Sequence, residues 1–301
     1  MENEGPTDHE DVPVDAGVPP STYDSSYFLT SCEGFVEFRA SGGRKLGARF
    51  QKALQLARIE PGQRVLDVGC GRGELVIHSA MRGADATGID YAEEAVRIAA
   101  ETLATYPPEV QRQARVLLMN ARQMEFEDGS FDVALMTDIV EHLYPHELAE
   151  VLGETRRVLR PGGRLVIHTC PNRLLYDVAY PVYTRYVHRV ICRVAEIAHY
   201  GSFVIGPWLP VGPVYPRSED ERRVHVNEQT AAEMKRAIEE AGFGVKKTEY
   251  WEVPPQWPWA SRRLTIELMI LDSIRHLRPF SYYWPLNRVL TNHIWMVAEK
   301  A

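Results

Sequence analysis

The chain has 301 residues, of which 45% are hydrophobic and 25% are charged, the composition of an ordinary globular protein with a sizeable core. Its formal net charge of −7 provides no long-range basic field, so unaided capture of a nucleic-acid backbone is disfavoured. The four cysteines are far apart and form no CxxC pair, which disfavours both a disulfide framework and a thiolate zinc site.

The N-terminal part divides into a polar tail and a helical segment. Residues 1–20 are acidic and rich in proline, too polar to support a core, so we predict a disordered tail there. Residues 21–60 are predicted to form an N-terminal helical cap, because apolar residues recur at spacings of three and four positions until Pro61 and Gly62. No leader-like segment opens the chain and no run of about 18 apolar residues follows, so we expect a cytoplasmic protein.

From residue 64 onwards, short apolar strands alternate with helices. This alternation is typical of a parallel sheet with helices on both faces. The predicted strands are 65–68, 86–89, 116–119, 133–136, 165–168, 245–250 and 293–298. The predicted helices are 74–81, 92–105, 145–159 and 228–241. Residues 61–301 are therefore predicted to form one α/β domain, with aromatic-rich insertions at about residues 173–217 and 253–288.

A glycine-rich turn after the first strand is the strongest local feature. Gly69, Gly71 and Gly73 follow a buried-strand pattern and lead into a helix, where glycine lets the backbone approach a ligand. A nicotinamide site would place the third glycine three positions after the second, whereas here it comes two positions later. The second strand then ends in Asp90, where a carboxylate can accept both hydroxyls of a ribose.

This tight turn, with Asp67 two residues before it, resembles motif I of the class I S-adenosylmethionine-dependent methyltransferases. The resemblance continues in order through the strand ending in Asp90 and through segments 118–121, 128–143 and 158–167. It implies the family's Rossmann-like, seven-stranded, mostly parallel sheet with an antiparallel last strand. The cap and both insertions would then lie over the carboxyl-terminal edge of that sheet. Within the family, the chain is most similar to small-molecule methyltransferases of the ubiquinone and menaquinone biosynthesis type.

The resemblance implies S-adenosylmethionine as cofactor, S-adenosylhomocysteine as product and no metal. The residues implied to hold the cofactor lie in the glycine turn and at the ends of the next three strands. They are Asp67, Gly69, Cys70, Gly71, Asp90, Tyr91, Asn120, Ala121, Asp138 and Ile139. Asn120 stands where the family usually has an acid; its amide oxygen can still accept a hydrogen bond from adenine but carries no charge.

Histidine is the side chain best suited to take a proton from an acceptor hydroxyl at neutral pH. His142 and His225 are the candidate bases, with His168 a weaker candidate, and a purely structural role remains an alternative for each. A metal cluster of Asp138, Glu141 and His142 is disfavoured because no fourth ligand pattern accompanies it.

The first insertion contains apolar residues at helical spacing over 183–197, with arginines away from that stripe. Such a helix could pack on the domain or on a dimer partner, form a substrate lid, or make a peripheral membrane contact through residues 178–198. Both insertions are placed to roof the acceptor pocket, so we expect an apolar or aromatic acceptor.

The expected function is therefore methylation, most simply at oxygen, of a small molecule by a monomer or homodimer. N- or C-methylation, or a non-catalytic partner subunit that binds S-adenosylmethionine, are the alternatives. A nicotinamide oxidoreductase is disfavoured by the glycine spacing. Nucleic acid is not an expected partner, because the chain has no DPPY or NPPY tetrapeptide to hold a flipped base.

Overall fold

A computed structural model describes residues 17–32, 34–184, 186, 223–251 and 283–301. Its centre is a sheet of seven strands. They are β1 (Arg64–Val68), β2 (Asp85–Asp90), β3 (Ala114–Leu118), β4 (Phe131–Thr137), β5 (Leu159–Thr169), β6 (Phe243–Trp251) and β7 (His293–Lys300). The strand order is β3-β2-β1-β4-β5-β7-β6, and β7 runs antiparallel to both of its neighbours. The predicted mostly parallel sheet with an antiparallel last strand is confirmed.

Helices cover both faces of this sheet. They are α1 (Phe35–Ser41), α2 (Ala48–Ala57), α3 (Glu74–Ala80), α4 (Glu93–Ala104), α5 (Pro108–Gln113), α6 (Pro145–Val158), α7 (Ala231–Glu240) and α8 (Asn287–Leu290). Successive strand residues face opposite layers, as the period of two requires. Val65 and Val133 pack in the cluster that contains α2, whereas Leu66 and Ala134 pack in the cluster that contains α6 and α7.

Several boundaries differ from the sequence prediction for identifiable reasons. The helix predicted to start at 228 begins at Ala231, because Thr230 accepts a hydrogen bond from the Glu233 backbone and caps it. Strand β5 starts at Leu159 rather than at 165, since the Pro-Gly-Gly segment continues the strand beside β4 with a shift in register. Helix α5 was not predicted. It is a short turn that begins at Pro108.

The cap is not one helix. It consists of a π-helical turn (Tyr27–Ser31) followed by α1 and α2, and the turn at Gly42 and Gly43 separates the two helices. Residues 17–20 of the predicted tail are described, and Val18 is buried in a cluster with Tyr23 and Phe28. Residues 1–16 lie outside the described residues.

Most of both predicted insertions lies outside the described residues, which omit 187–222 and 252–282. The amphipathic stripe at 183–197 and the membrane contact through 178–198 therefore stay predictions. The described start of the first insertion is a π-helical segment (Leu175–Thr184) that exposes Val178 and Val182. Within the described ranges, every helix is too short or too polar to cross a lipid bilayer.

Candidate functional site

The glycine turn lies at the carboxyl-terminal edge of the sheet, directly after β1. The backbone amides of Gly69 and Cys70 both donate to the carbonyl of Ile89, which joins the turn to the end of β2. Gly69, Gly71 and Gly73 all have positive φ, with values of 71°, 50° and 79°. The turn therefore requires glycine for its backbone conformation, and Gly73 directly precedes α3.

Gly73 also sits where a side chain has no room. A Cβ at Gly73 would lie 2.9 Å from the Cβ of Ala99, whereas a Cβ at Gly62 (φ 81°) would meet nothing within 4 Å. Both Gly→Ala changes incur the left-handed backbone penalty of about 1–2 kcal/mol, and Gly73→Ala adds the clash. We expect urea unfolding to show a clearly larger loss of stability for Gly73→Ala than for Gly62→Ala. Equal losses would mean that α4, which carries Ala99, moves away from the added methyl group without a cost in stability.

Asp90 ends β2 beside this turn and is 8% exposed. Its Oδ2 accepts from the Gly71 amide at 3.0 Å, and its Oδ1 accepts from the Ala92 amide at 3.0 Å. Burial raises the pKa of Asp90, while the backbone hydrogen bonds from Ala92 and Gly71 lower it. A carboxylate has about four acceptor positions. The bonded amides leave acceptor capacity on this carboxylate for a ribose hydroxyl, which fits the predicted nucleoside.

Asp67 lies within β1 and is 3% exposed. Burial, followed by the charges of Asp90 and Glu74, raises the pKa of Asp67 to about 8. A carboxyl whose pKa is raised on folding stabilises the fold fully below its unfolded pKa of about 4, and that contribution is lost as the pH rises towards the folded pKa.

We therefore expect Asp67→Asn to remove part of the loss of stability that the protein suffers between about pH 5 and pH 8. Thermal melts across this range should show that the melting temperature of the variant increases relative to that of the wild type as the pH rises. Asp85→Asn, at the exposed start of β2, is the matched control and should leave the pH dependence unchanged. A difference in melting temperature between Asp67→Asn and wild type that is the same at all pH values would contradict the raised pKa of Asp67.

The remaining predicted cofactor residues lie along the same edge. The Tyr91 hydroxyl donates to the Val18 carbonyl at 3.0 Å, and the Asn120 side-chain oxygen accepts from the Arg122 amide at 2.9 Å. The carbonyl of Asp90 accepts from the Met119 amide at 2.9 Å, which joins the ends of β2 and β3. The cofactor roles of these residues, like those of all ten residues implied to hold the cofactor, stay predictions.

Asp138 follows β4 and has a left-handed backbone (φ 58°). Its carboxylate pairs with Arg49 of α2 at 3.1 Å and accepts from His168 Nδ1 at 2.5 Å. The other ring nitrogen of His168 lies 2.9 Å from Nδ1 of His293, the first residue of β7. Burial raises the pKa of Asp138, but Arg49 and then His168 more than offset it, so that pKa lies well below its usual range.

Arg49 and His293 are functional candidates that the sequence reasoning missed. His293 could have been predicted from the sequence, because an antiparallel last strand begins at the edge of the sheet where the parallel strands end. No local pattern indicates Arg49, which stands beside the apolar stripe of the cap helix and meets Asp138 only through the tertiary fold.

Glu141, His142 and His225 converge at the same edge of the sheet, where the methyl acceptor is predicted to bind. Glu141 is buried and accepts from the Thr169 hydroxyl at 2.9 Å; burial, then Asp138, raises the pKa of Glu141 to about 8. His142 Nδ1 lies 2.9 Å from the Tyr23 hydroxyl, and its ring centroid is 5.0 Å from that of His225. Burial, followed by His225, lowers the pKa of His142 to about 3, so its imidazole is neutral at pH 7.

This trio also has the donor types of a metal site. One ligand atom from each of Glu141, His142 and His225 lies within 4.8 Å of the others. The set differs from the Asp138, Glu141 and His142 cluster considered from sequence, because Asp138 is held by Arg49 and His168. A cation bound to Nδ1 of His142 would have to displace the Tyr23 hydroxyl from it. The expectation that no metal is needed stays a prediction.

Residues 17–32, here called the N-terminal strap, cross the edge above the glycine turn. Arg72 donates to the carbonyls of Phe28 at 2.8 Å and Cys32 at 3.3 Å. The Phe28 ring would lie 3.7 Å from a Cβ at Gly71, so it covers the turn directly. The cap thus borders both the predicted cofactor site and, through the contact of Tyr23 with His142, the predicted acceptor site.

With this geometry established, comparison with known proteins identifies the fold and its central domain. Residues 65–163 match the family described as "Methyltransferase domain". The chain is 34% identical over 158 residues to the ubiquinone biosynthesis O-methyltransferase of Xanthomonas axonopodis pv. citri (strain 306), an alignment that covers 51% of this chain. The chain spans 63% of that relative's length, which is less than two thirds.

Among solved structures, a geranyl diphosphate methyltransferase in complex with SAM matches with a TM-score of 0.54, 17% identity and 92% coverage of each chain. The [4+2]-cyclase SpnF matches with a TM-score of 0.50, 16% identity and coverage of 83% of this chain and 79% of its own. At such identities these likenesses establish the fold alone. Together with the family match, they confirm the predicted resemblance to class I S-adenosylmethionine-dependent methyltransferases.

Proposed function

We propose that the chain transfers a methyl group from S-adenosylmethionine to a small molecule, most simply to an oxygen of an apolar or aromatic metabolite. The observation that carries this proposal is the buried Asp90 carboxylate beside the glycine turn, where it can accept from a ribose hydroxyl. The methyltransferase-domain match over residues 65–163 supports it. O-methylation is favoured by the similarity to a ubiquinone biosynthesis O-methyltransferase.

Bound S-adenosylmethionine supplies a methyl group on a sulfonium, which is activated for in-line displacement by an aligned nucleophile. In this proposal Asp90 accepts the ribose hydroxyls, and the 69–71 turn provides the close backbone approach. Asn120 and Ala121 lie beside the adenine. Asp138 and Ile139 would border the methionine end, where the guanidinium of Arg49, which pairs with Asp138, would suit a carboxylate.

On the acceptor side we assign the base to His225 rather than to His142. The His142 ring is hydrogen-bonded to the Tyr23 hydroxyl and to the Val224 backbone, and its lowered pKa makes it a weak base. His225 Nδ1 lies 3.6 Å from a Glu228 carboxylate oxygen, which would stabilise the imidazolium formed when His225 takes a proton. His142 then positions the Tyr23 hydroxyl and the His225 ring, which it contacts.

The test is formation of S-adenosylhomocysteine when the full chain is incubated with S-adenosylmethionine and panels of quinones, phenols and glycosides. We expect product with at least one hydroxylated apolar or aromatic acceptor. His225→Asn should lower kcat by about 100-fold or more while cofactor affinity is retained. Cofactor binding without turnover on any panel or on a metabolite extract would instead favour a non-catalytic binding subunit.

C-methylation is the second candidate, because a geranyl diphosphate C-methyltransferase from Streptomyces coelicolor A3(2) shares this fold, with a TM-score of 0.52 over 84% of this chain. NMR of the methylated product distinguishes a new C–CH3 group from an O–CH3 group. A carbon-bound methyl would overturn the assignment to oxygen but leave the cofactor site intact.

A further inference from the structure

Two amide side chains at the carboxyl-terminal edge of the sheet are only half satisfied. Nε2 of Gln229 donates to Oδ1 of Asn227 at 3.4 Å, and we call these two side chains the amide pair. Among the described residues, the other two atoms, Nδ2 of Asn227 and Oε1 of Gln229, are buried and have no hydrogen-bond partner. Gln229 as a whole is 7% exposed. A buried polar atom without a partner costs free energy, so native proteins rarely keep one that has no role.

The segment that carries the amide pair is held between the loops that follow β4 and β5. The Asn227 backbone amide donates to the Glu141 carbonyl at 3.1 Å, and the Gln229 carbonyl accepts from the Arg173 amide at 3.2 Å. In an α/β sheet, such carboxyl-end loops border the ligand crevice. His225, to which we assign the base, is two residues before Asn227. The amide pair therefore belongs to the edge where the methyl acceptor is predicted to bind.

The two unpartnered atoms have opposite hydrogen-bonding character. Nδ2 of Asn227 is a donor, and Oε1 of Gln229 is an acceptor. A carboxylate would satisfy only Asn227 and an ammonium group only Gln229, whereas a hydroxyl can accept from the first and donate to the second. The two amides carry no charge, so they suit an uncharged ligand group. A hydroxyl is therefore the group that complements the amide pair.

We infer that Asn227 and Gln229 determine acceptor specificity by binding a hydroxyl of the acceptor that is not itself methylated. This inference rests on the proposed function, since it assumes that methyl transfer takes place at this edge. It divides the recognition of the acceptor between two groups: the reacting hydroxyl faces His225, and the second hydroxyl faces the amide pair.

Matched acceptors test this assignment. Each hydroxylated quinone, phenol or glycoside that the full chain methylates is compared with a counterpart in which one non-reacting hydroxyl is replaced by hydrogen. At one such position we expect the wild-type kcat/KM to be about 100-fold lower for the counterpart, because the counterpart leaves both amides unpartnered. In the double variant Asn227→Leu/Gln229→Met, which has apolar groups of similar shape, the two compounds should differ by less than about tenfold.

The melting temperature separates recognition from a structural role. The double variant should melt at or above the wild-type temperature, because it removes two unpartnered buried polar atoms. Asn172→Leu is the matched control, since the Asn172 amide donates to the carbonyls of Arg288 at 2.8 Å and Thr291 at 3.0 Å. This control should lower the melting temperature and leave the ratio of the two kcat/KM values unchanged.

A single variant gives an independent reading if the double variant does not fold. Gln229→Met keeps the Asn227 donor, so its ratio of kcat/KM values should lie between those of the wild type and the double variant.

The outcomes are distinct. An unchanged ratio in a folded variant, or wild-type methylation of single-hydroxyl acceptors as efficient as that of any other acceptor, would overturn the role of the amide pair while the proposed function stands. A lower melting temperature with equal losses of kcat/KM for both compounds would instead make the pair structural. Absence of turnover with every compound would remove the proposed function itself.

Discussion

Replacing Asp90 with alanine is expected to weaken S-adenosylhomocysteine binding by about 100-fold or more. Two hydrogen bonds from ribose hydroxyls to a charged acceptor contribute about 1.5–3 kcal/mol each, and a factor of ten in Kd corresponds to about 1.4 kcal/mol. The change also removes the acceptor for the Gly71 amide, at 3.0 Å, and so loosens the turn that the ligand contacts. Isothermal titration calorimetry on the full chain measures the effect.

Asp85→Ala is the matched control, because Asp85 begins the same strand at the opposite edge of the sheet and is exposed. It should leave the Kd unchanged. Asp90→Asn keeps one acceptor oxygen and should fall between wild type and Asp90→Ala. An Asp90→Ala protein that melts cooperatively and binds with wild-type affinity would exclude this carboxylate from the cofactor site.

The candidate cofactor half of the site follows from the sequence because its determinants are local. The glycine spacing and the acid at the end of the next strand lie within 22 residues, from Gly69 to Asp90, and each follows from a short pattern. Parallel strands then bring Gly71 and Asp90 to one edge whatever the rest of the chain does. The structure adds the backbone contact between them, at 3.0 Å.

The remaining contacts of the candidate site were only partly predictable, because they join distant segments. Tyr23 and His142 are separated by 119 positions and His168 and His293 by 125, so no window of sequence contains either pair. The histidines could be placed at strand ends, but their partners depend on how the cap and β7 pack. The low pKa of His142 likewise arises from burial, which a pattern of residue types does not specify.

Arg72 shows how the cap depends on one buried cation within the glycine turn. Its side chain and that of Glu74 are 1% and 3% exposed, and they pair at 2.9 Å. Arg72 also donates to the carbonyls of Phe28 and Cys32 in the N-terminal strap and lies over the Phe38 ring at 5.0 Å. Removing it therefore affects both the ion pair and the attachment of the strap.

Arg72→Met is expected to lower the free energy of unfolding by about 3–5 kcal/mol, because Glu74 is left as an uncompensated buried charge. Burial already raises the pKa of Glu74 and Arg72 is the first group that lowers it, so the variant should also take up a proton at this site. Urea unfolding at neutral pH measures the loss.

The double variant Arg72→Met/Glu74→Gln separates the lone charge from the lost strap contacts. It should recover a large part of the stability, since replacing both members of a buried pair is far less damaging than removing one. Arg97→Met breaks the exposed pairs with Glu94 and Glu101 and should change stability little. A double variant no more stable than Arg72→Met would mean that the carbonyls of Phe28 and Cys32, rather than Glu74, account for the loss.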